Sequence, residues 1–342
     1  MELGSRIVEA RKQLGLTQAE LSQLVGLERS TLAKIENGQR KVSALELGDI
    51  ARQLKLRLEW FVLPRGSAIA YRAKTTPEWT PRALDHLLEQ AVDNTRLLKE
   101  LQYLTLPQRG QTLHRPQSAA EAEELGATAR TRAKLPQGAV ENLADSAYRL
   151  GLLVFAAPLQ GDADAAYMGH EDWGVAYINS ENAIGRRRLA LAHEIGHFLV
   201  GDAMSMDFRL DIALEDRHEA LLDRAARAIL LPPNETRSEW EILTSAGTRE
   251  AAVRLASKYR VDMSTLARRL SSDLHIVDER AASEIRQTRT TRADIIEHGL
   301  YVPHDLEGVW QAPEYQKAVL RAYRSEGISA ERALSLLQGT LA

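Results

Sequence analysis

The chain has 342 residues, 44 Lys and Arg against 47 Asp and Glu, a formal net charge of -3, and no cysteine. That length suggests more than one domain, and the balanced charge excludes a globally basic nucleic-acid surface, so any DNA signal has to be local. The missing thiols exclude disulfides and cysteine-ligated zinc, and they fit a reducing compartment. Met1-Glu2-Leu3-Gly4-Ser5-Arg6 lacks the basic-then-apolar run of a signal peptide. No apolar stretch approaches the roughly 20 residues that span a bilayer. A cytoplasmic protein with no membrane partner is expected.

From Met1 to about Leu63, apolar residues recur at helical spacing in short pieces. Ile7, Ala10 and Leu14 mark a first helix, stopped by Gly15. Thr17-Gln18-Ala19-Glu20 is a capping box that opens a second helix through Leu21 and Leu24 to Gly26. A third starts near Glu28, carries Leu32 and Ile35, and ends at Asn37-Gly38. Ser43-Ala44-Leu45-Glu46 is another box, opening a helix with Leu47, Ile50 and Leu54; a last short helix holds Leu58, Trp60 and Phe61. Five short helices with a tight turn between the second and third suit a helix-turn-helix domain. A helical protein-interaction module of the same shape is the competing reading.

Arg11-Lys12-x-x-Gly15-Leu16-Thr17-Gln18-x-x-Leu21, followed by Leu32-x-x-Ile35-Glu36-Asn37-Gly38-x-Arg40, resembles phage-repressor-type (XRE/Cro-like) DNA-binding domains. The resemblance implies that Gln18, Glu28, Arg29, Ser30, Thr31 and Lys34 face DNA. Chemically, Arg29 can read guanine in the major groove, and Ser30 and Thr31 can meet base edges or phosphates. Lys34, Arg40 and Lys41 suit phosphate contacts. Glu28 and Glu36 are expected to dilute this basic face. The partner expected is a double-stranded operator, bound by a homodimer, because two-fold sites call for two-fold proteins.

Residues 64–117 read as a linker. Pro64-Arg65-Gly66-Ser67 breaks the helical pattern, and one long helix is expected from Pro81 to Leu104. Its seam of Leu84, Leu88, Ala91, Leu98 and Leu101, interrupted at Asn94 and Thr95, suits either a dimerising helix pair or a helix packed on the next domain. Thr105 to Gln117 reads as loop.

A third region, 118–274, opens on Ser118-Ala119-Ala120-Glu121, a capping box that starts a helix to about Leu135. A helix is expected from about Pro136 to Leu150, then short buried strands at Leu152–Phe155 and Gly174–Asn179, with an acidic loop from Gln160 to Asp172 between them. Arg186-Arg187-Arg188 reads as an exposed charged face. Leu189 to Val200 follows, a helix apolar nearly all round that contains His193-Glu194-Ile195-Gly196-His197. Positions four apart lie one above the other on a helix, so His193 and His197 can offer imidazoles to one metal ion. Glu194 can reach a water bound there. This is the H-E-x-x-H arrangement of zinc peptidases, with Glu194 as general base. An ordinary core helix with two satisfied histidines is the alternative.

Zinc needs at least one further protein ligand and an open position. Glu215, Asp216, His218, Glu219 and Asp223 are the candidates, on a helix from about Asp216 to Leu231 that Pro232-Pro233 ends. Glu219 and Asp223 share a face. Resemblance to gluzincin-like sites favours Glu219 as ligand and Asp223 as the group that orients a ligand imidazole. Ala192-His193-Glu194-Ile195-Gly196-His197 and Glu219-x-x-x-Asp223-x-x-Ala226-x-x-Ile229-Leu230-Leu231-Pro232 together resemble the ImmA/IrrE-type (M78) metallopeptidases, over roughly residues 118–235. That resemblance implies cleavage of a DNA-binding repressor in a stress or mobile-element response. The chain departs from the family at Ala225, where an aromatic is usual, and at Leu221, where a second Glu is frequent.

In the C-terminal region, 275–342, Tyr315 to Tyr323 and Ser329 to Leu337 form a helical hairpin broken at Gly327, and Arg254 to Leu270 faintly echoes another helix-turn-helix. The expected fold is mainly α with a small β-sheet (α+β): an all-helical DNA-binding domain (1–63), the linker, a zincin-like domain and a helical tail. The expected function is a DNA-binding regulator with a zinc-dependent peptidase-like domain that cleaves a repressor or partner. The alternative is an antitoxin or repressor whose peptidase-like domain grips or senses a partner, such as a toxin, without cutting it.

Overall fold

The chain divides into two compact units, Met1–Gly66 and Ser67–Ala342. The computed structural model describes residues 3–13, 16–54, 61, 69–72, 82–159, 164–170, 172–201, 212–300 and 304–338. Among the described residues no helix is long and apolar enough to cross a membrane.

The first unit contains α1 (Leu3–Gln13), α2 (Gln18–Leu24), α3 (Arg29–Glu36) and α4 (Ala44–Gln53). Both expected capping boxes form. The Thr17 and Ser43 hydroxyls accept from the amides of Glu20 and Glu46, whose carboxylates accept in return from the amides of Thr17 and Ser43. Ile7, Leu21, Leu32, Ile35, Ile50 and Phe61 make the core. Leu58 and Trp60 lie outside the described residues. At Gly4 an added Cβ would sit 2.5 Å from the carbonyls of Ile35 and Glu36, so glycine lets α1 close on α3. One sequence expectation fails here. Glu36 is only 5% exposed and dilutes no outer face. It accepts from Arg11 Nε at 2.6 Å, Arg11 Nη2 at 2.9 Å and Gln18 Nε2 at 2.7 Å, and so ties three helices together.

The second unit is built on a five-stranded sheet in the order β1-β3-β4-β2-β5. The strands are β1 (Ile69–Arg72), β2 (Leu152–Ala157), β3 (Ala165–His170), β4 (Trp173–Asn179) and β5 (Trp310–Gln311). β2 and β4 pair in parallel, and the other pairs are antiparallel. Strand alternation serves two cores. Val154, Tyr167 and Ile178 face one helical layer, made by α6 (Ala119–Arg132), α7 (Leu143–Arg149), α8 (Ile184–Val200) and α9 (Ile212–Leu230). Leu153, Phe155, Met168, Val175 and Tyr177 face the other. That layer holds α5 (Arg82–Glu100) and, from the C-terminal hairpin, α15 (Pro313–Arg324) and α16 (Ala330–Leu337). In chain order α10 (Pro233–Leu243), α11 (Thr248–Tyr259), α12 (Met263–Arg268), α13 (Glu279–Gln287) and α14 (Arg292–Glu297) come between α9 and α15, and Trp240, Leu255, Leu266 and Ile285 join them to the first of the two cores.

Several expectations are corrected. The stretch read as an acidic loop contains β3, a strand buried on both faces over Ala165–Met168. Leu84, Leu88, Ala91 and Leu98 of the α5 seam are buried against the chain's own sheet and hairpin, and buried Asn94 accepts from Arg332 Nη2 at 2.8 Å, which favours the helix packed on its own domain over a helix-pair dimer; Leu101 is exposed. The helix expected from Pro136 starts at Leu143, because Arg130 collects the carbonyls of Pro136, Gln137 and Gly138 and holds them in a non-helical path. Glu121 reaches back to the amide of Gln117 rather than Ser118, one residue before the expected box. Arg187 and Arg188 are buried, Arg188 at 1% exposure. Their guanidiniums donate to the carbonyls of Ser180 and Val140, and Arg188 also pairs with Asp305. In the faint echo of a second helix-turn-helix at α11 and α12, Thr265, Leu266 and Ala267 of α12 are buried, while Ser264 and Arg268 are exposed.

Breaking one side of a buried ion pair leaves an uncompensated charge. Glu36→Ala should therefore destabilise the first unit by about 3 kcal/mol, and Arg11→Met with Glu36→Met should recover at least half of that loss. Urea unfolding followed by circular dichroism tests this; an unchanged midpoint for Glu36→Ala would contradict it.

Candidate metal centre

α8 is apolar nearly all round and is buried in the second unit. Gly201, left-handed at φ 66°, ends it. The segment before α6 meets carbonyls at this end: the Leu113 amide donates to Leu199 O at 2.9 Å, and Arg109 Nη1 donates at 3.4 Å to Phe198 O, which also accepts from the Gly201 amide. Nothing in the composition of Thr105–Gln117 signals this role, which exists only in the tertiary fold.

α9 packs along α8 beside the motif. Gly196 supplies the room, since a Cβ there would already lie 3.3 Å from Leu222 Cδ2. On its other side, small residues let α6 close on α9: a Cβ at Gly126 would meet Ala228 Cβ at 2.6 Å. Buried ion pairs fix α9 further. Arg227 holds Asp273 at 2.6 and 3.0 Å. Arg224 and the fully buried Arg269 both hold Glu123.

This packing brings three donor atoms together. His193 Nε2 lies 3.0 Å from His197 Nε2 and 3.0 Å from Glu219 Oε2, and His197 Nε2 lies 3.5 Å from Glu219 Oε1. Among the described residues they are the one group of three such side chains able to hold a metal ion. Ligands about 2.0–2.1 Å from a tetrahedral ion stand about 3.3 Å apart, so the trio fits a small divalent cation. The two imidazoles are buried, while the Glu219 side chain is 37% exposed and leaves a side open to solvent. His193 Nδ1 lies 2.9 Å from Asp223 Oδ1, so a proton on Nδ1 donates to that carboxylate, and a ring that has lost its Nε2 proton would turn that lone pair towards the other donors. Glu194 is 0% exposed. His218, partly buried, keeps its ring centre 6.3 Å from that of His197 and is not one of the trio. The side chains of Glu215 and Asp216 lie outside the described residues.

Burial opposes a charge on His193, but its hydrogen bonds to Asp223 and Glu219 outweigh that, and the imidazole pKa is raised. Burial would also raise Glu219, yet hydrogen bonds from His193 and His197 hold its carboxyl below the usual range. Without a cation, the raised His193 therefore stabilises the fold below its ordinary pKa and loses that effect as pH rises through the raised value. The depressed Glu219 stabilises above its ordinary pKa and loses that effect as pH falls through the lowered value.

In the first unit, Leu32, Ile35 and Glu36 of α3 point inward, leaving Arg29, Ser30 and Lys34 exposed. Glu28, Arg40 and Lys41 are exposed too, and Thr31 and Gln18 are partly buried. Gln18 is held by Glu36, and Arg40 pairs with Glu46 at 2.9 Å.

Comparison with known proteins covers both units. Residues 7–61 match the family described as helix-turn-helix, and residues 147–271 match the peptidase M78 family described as the IrrE N-terminal-like domain. A solved structure, "Crystal Structure of Bacillus thuringiensis PlcR in complex with the peptide PapR7 and DNA", aligns over 98% of this chain and 92% of that chain, at 12% identity and a TM-score of 0.19. A likeness that low carries neither fold nor function across.

A proton on His193 competes with a metal ion for the same nitrogen. Divalent-cation affinity, measured with Co2+ as a spectroscopic probe, should fall about tenfold for each pH unit below the raised His193 pKa. Asp223→Asn should weaken it about 10- to 100-fold and Glu219→Ala by more. Wild-type affinity in Glu219→Ala would remove Glu219 from the site.

Proposed function

We propose that this chain, which joins an XRE-type helix-turn-helix domain to an IrrE N-terminal-like domain of the M78 peptidase family, is a DNA-binding regulator that also cleaves a protein. The observation that carries the second half is the convergence of His193, His197 and Glu219, with Asp223 behind the first imidazole. In this reading the trio holds Zn2+. Bound there, zinc acidifies a water and polarises a peptide carbonyl. The chain's residues do the rest. Asp223 keeps His193 in one tautomer and orientation. Glu194, buried on the same helical turn, takes the proton from the attacking water and returns it to the leaving amine. The exposed flank at Glu219 admits the scissile segment.

In the first unit, α3 lies in the major groove of an operator. Arg29 reads a guanine, Ser30 and Thr31 meet base edges, and Gln18, Glu28, Lys34, Arg40 and Lys41 contact or border the phosphates. A homodimer on a pseudo-palindromic site is the expected assembly. The substrate is a repressor or partner protein in a stress or toxin-antitoxin-type response, and the work is done on cytoplasmic DNA.

Two experiments test this. When the chain is produced with a candidate partner from the neighbouring gene, the wild type should process that partner. Glu194→Gln should retain bound zinc and lose at least about 100-fold of the cleavage rate. An intact partner in a stable complex with the zinc-loaded wild type would instead mark the domain as a non-catalytic grip. On an operator selected from random DNA, Arg29→Ala with Thr31→Ala should weaken binding at least about tenfold in a gel shift. Unchanged binding would remove α3 as the reading helix.

A further inference from the structure

Of the candidate ligands on α9, Glu219 joins the trio and Asp223 stands behind His193, while His218 has no part in the chemistry so far. Its position follows from the register of two antiparallel helices. Leu222 of α9 packs at Gly196 of α8. His218 lies one turn earlier on the same face of α9, so it comes level with the next stretch of α8. There its ring meets the His197 ring edge-on, with centres 6.3 Å apart and planes at 75°. The two imidazoles of the trio stand closer, with centres 4.8 Å apart. His218 is therefore set back from the donor atoms. A ring N–H reaches an acceptor about 3 Å away, which is the reach needed for a group lodged against those atoms.

Each helix of the site carries one polar residue directly beside a member of the trio. Glu194, next to His193, is 0% exposed. His218, next to Glu219, is half-buried, and the Glu219 side chain is 37% exposed. The base thus works from inside the site, and His218 stands on the side that admits a peptide.

Peptide hydrolysis asks two things of the chain besides ligands: an acceptor for the proton of water and a donor for the carbonyl oxygen. As water attacks, a C–O bond forms, the proton passes to Glu194, and the carbonyl π pair moves onto oxygen. When the C–N bond breaks, its electron pair goes to nitrogen, which takes the proton back from Glu194. In between, the carbonyl oxygen carries negative charge, and a fixed N–H beside it lowers the barrier. An imidazole carries at least one N–H in either protonation state, so His218 can serve without gaining or losing a proton.

We propose that His218 is a catalytic residue of the second unit, whose ring N–H donates to the carbonyl oxygen of the scissile peptide as that oxygen becomes an anion. The proposal rests on the reading of the trio as a hydrolytic metal site.

The test uses the full-length chain loaded with Co2+, whose visible spectrum reports an anion entering the site. Inorganic phosphate is tetrahedral, and its charged oxygens offer the donor what the oxyanion would. Thiocyanate is linear and needs no donor beside the ion. His218→Ala should weaken phosphate binding at least about tenfold while thiocyanate and Co2+ affinities stay within about twofold. His218→Gln or His218→Asn, which keep a side-chain N–H, should restore phosphate binding to within about threefold in at least one of the two. Unchanged phosphate binding in His218→Ala, or equal losses for both anions, would overturn the proposal. So would a tenfold loss of Co2+ affinity, which would make His218 a ligand and not a donor. A wild type that takes up no Co2+ refutes the metal reading and this proposal with it. A wild type that takes up Co2+ but cleaves no partner leaves the anion comparison to decide on His218 by itself.

Discussion

The second unit depends on one distance, that between two helices. α8 supplies both imidazoles from a single turn, but a third donor has to come from another element, and only the approach of α9 brings Glu219 within 3.0 Å of His193. Van der Waals contact sets the lower limit: Gly196 is the one residue between the histidines small enough to let Leu222 in. Charge sets the position of α9 on its far side, where Arg224 and Arg227 face Glu123 and Asp273, and Arg269 is buried among them. Paired charges of this kind add little net stability, but removing one partner is costly, by about 3–5 kcal/mol. They resist a shift in helix position more than they add to the depth of the fold.

The sheet gives this arrangement a rigid base. Strands buried on both faces have to match two cores at once, which fixes their register. The Phe155 ring stacks on Tyr177 and meets Tyr315 edge-on, so residues from β2, β4 and the C-terminal hairpin share one cluster. The hairpin closes the core opposite the metal helix, and Gln311 Nε2 donates to Leu336 O within it.

What could be read in the sequence was what depends on neighbours along the chain. The capping boxes at Thr17 and Ser43 involve residues three apart, and the helical step alone puts His193 above His197. Zinc-site resemblance singled out Glu219, and the structure places it beside both imidazoles. Features made by distant partners were misread. Glu36, taken for a surface acid, is buried because Arg11 lies 25 positions earlier. Arg187 and Arg188 read as a solvated run, since nothing local reveals the carbonyls of Ser180 and Val140 that receive them. β3 was missed because its buried half, Ala165-Ala166-Tyr167-Met168, is short and is flanked by Asp162, Asp164, Gly169 and His170. β1 and β5, at four and two residues, carry too little pattern to stand out from loop.

The spacing of the two acids on α9 explains more than the choice of a third donor. Residues four apart on a helix are separated by about 6 Å along its axis, and the two nitrogens of an imidazole point to opposite sides of the ring. Glu219 and Asp223 therefore straddle His193: one approaches Nε2 at 3.0 Å, the other Nδ1 at 2.9 Å. A proton on Nδ1 satisfies Asp223, and the lone pair of Nε2 is left pointing where His197 and Glu219 also point. Both nitrogens of the His193 ring thus meet acids of α9, so that helix as well as α8 fixes its orientation. His197 meets the same acid from its own side, with Nε2 3.5 Å from Glu219 Oε1, and its ring centre lies 6.3 Å from that of His218. A change on α9 alters the ring orientation and the third donor together, whereas a change at His197 removes one donor and leaves the clamp on His193 intact.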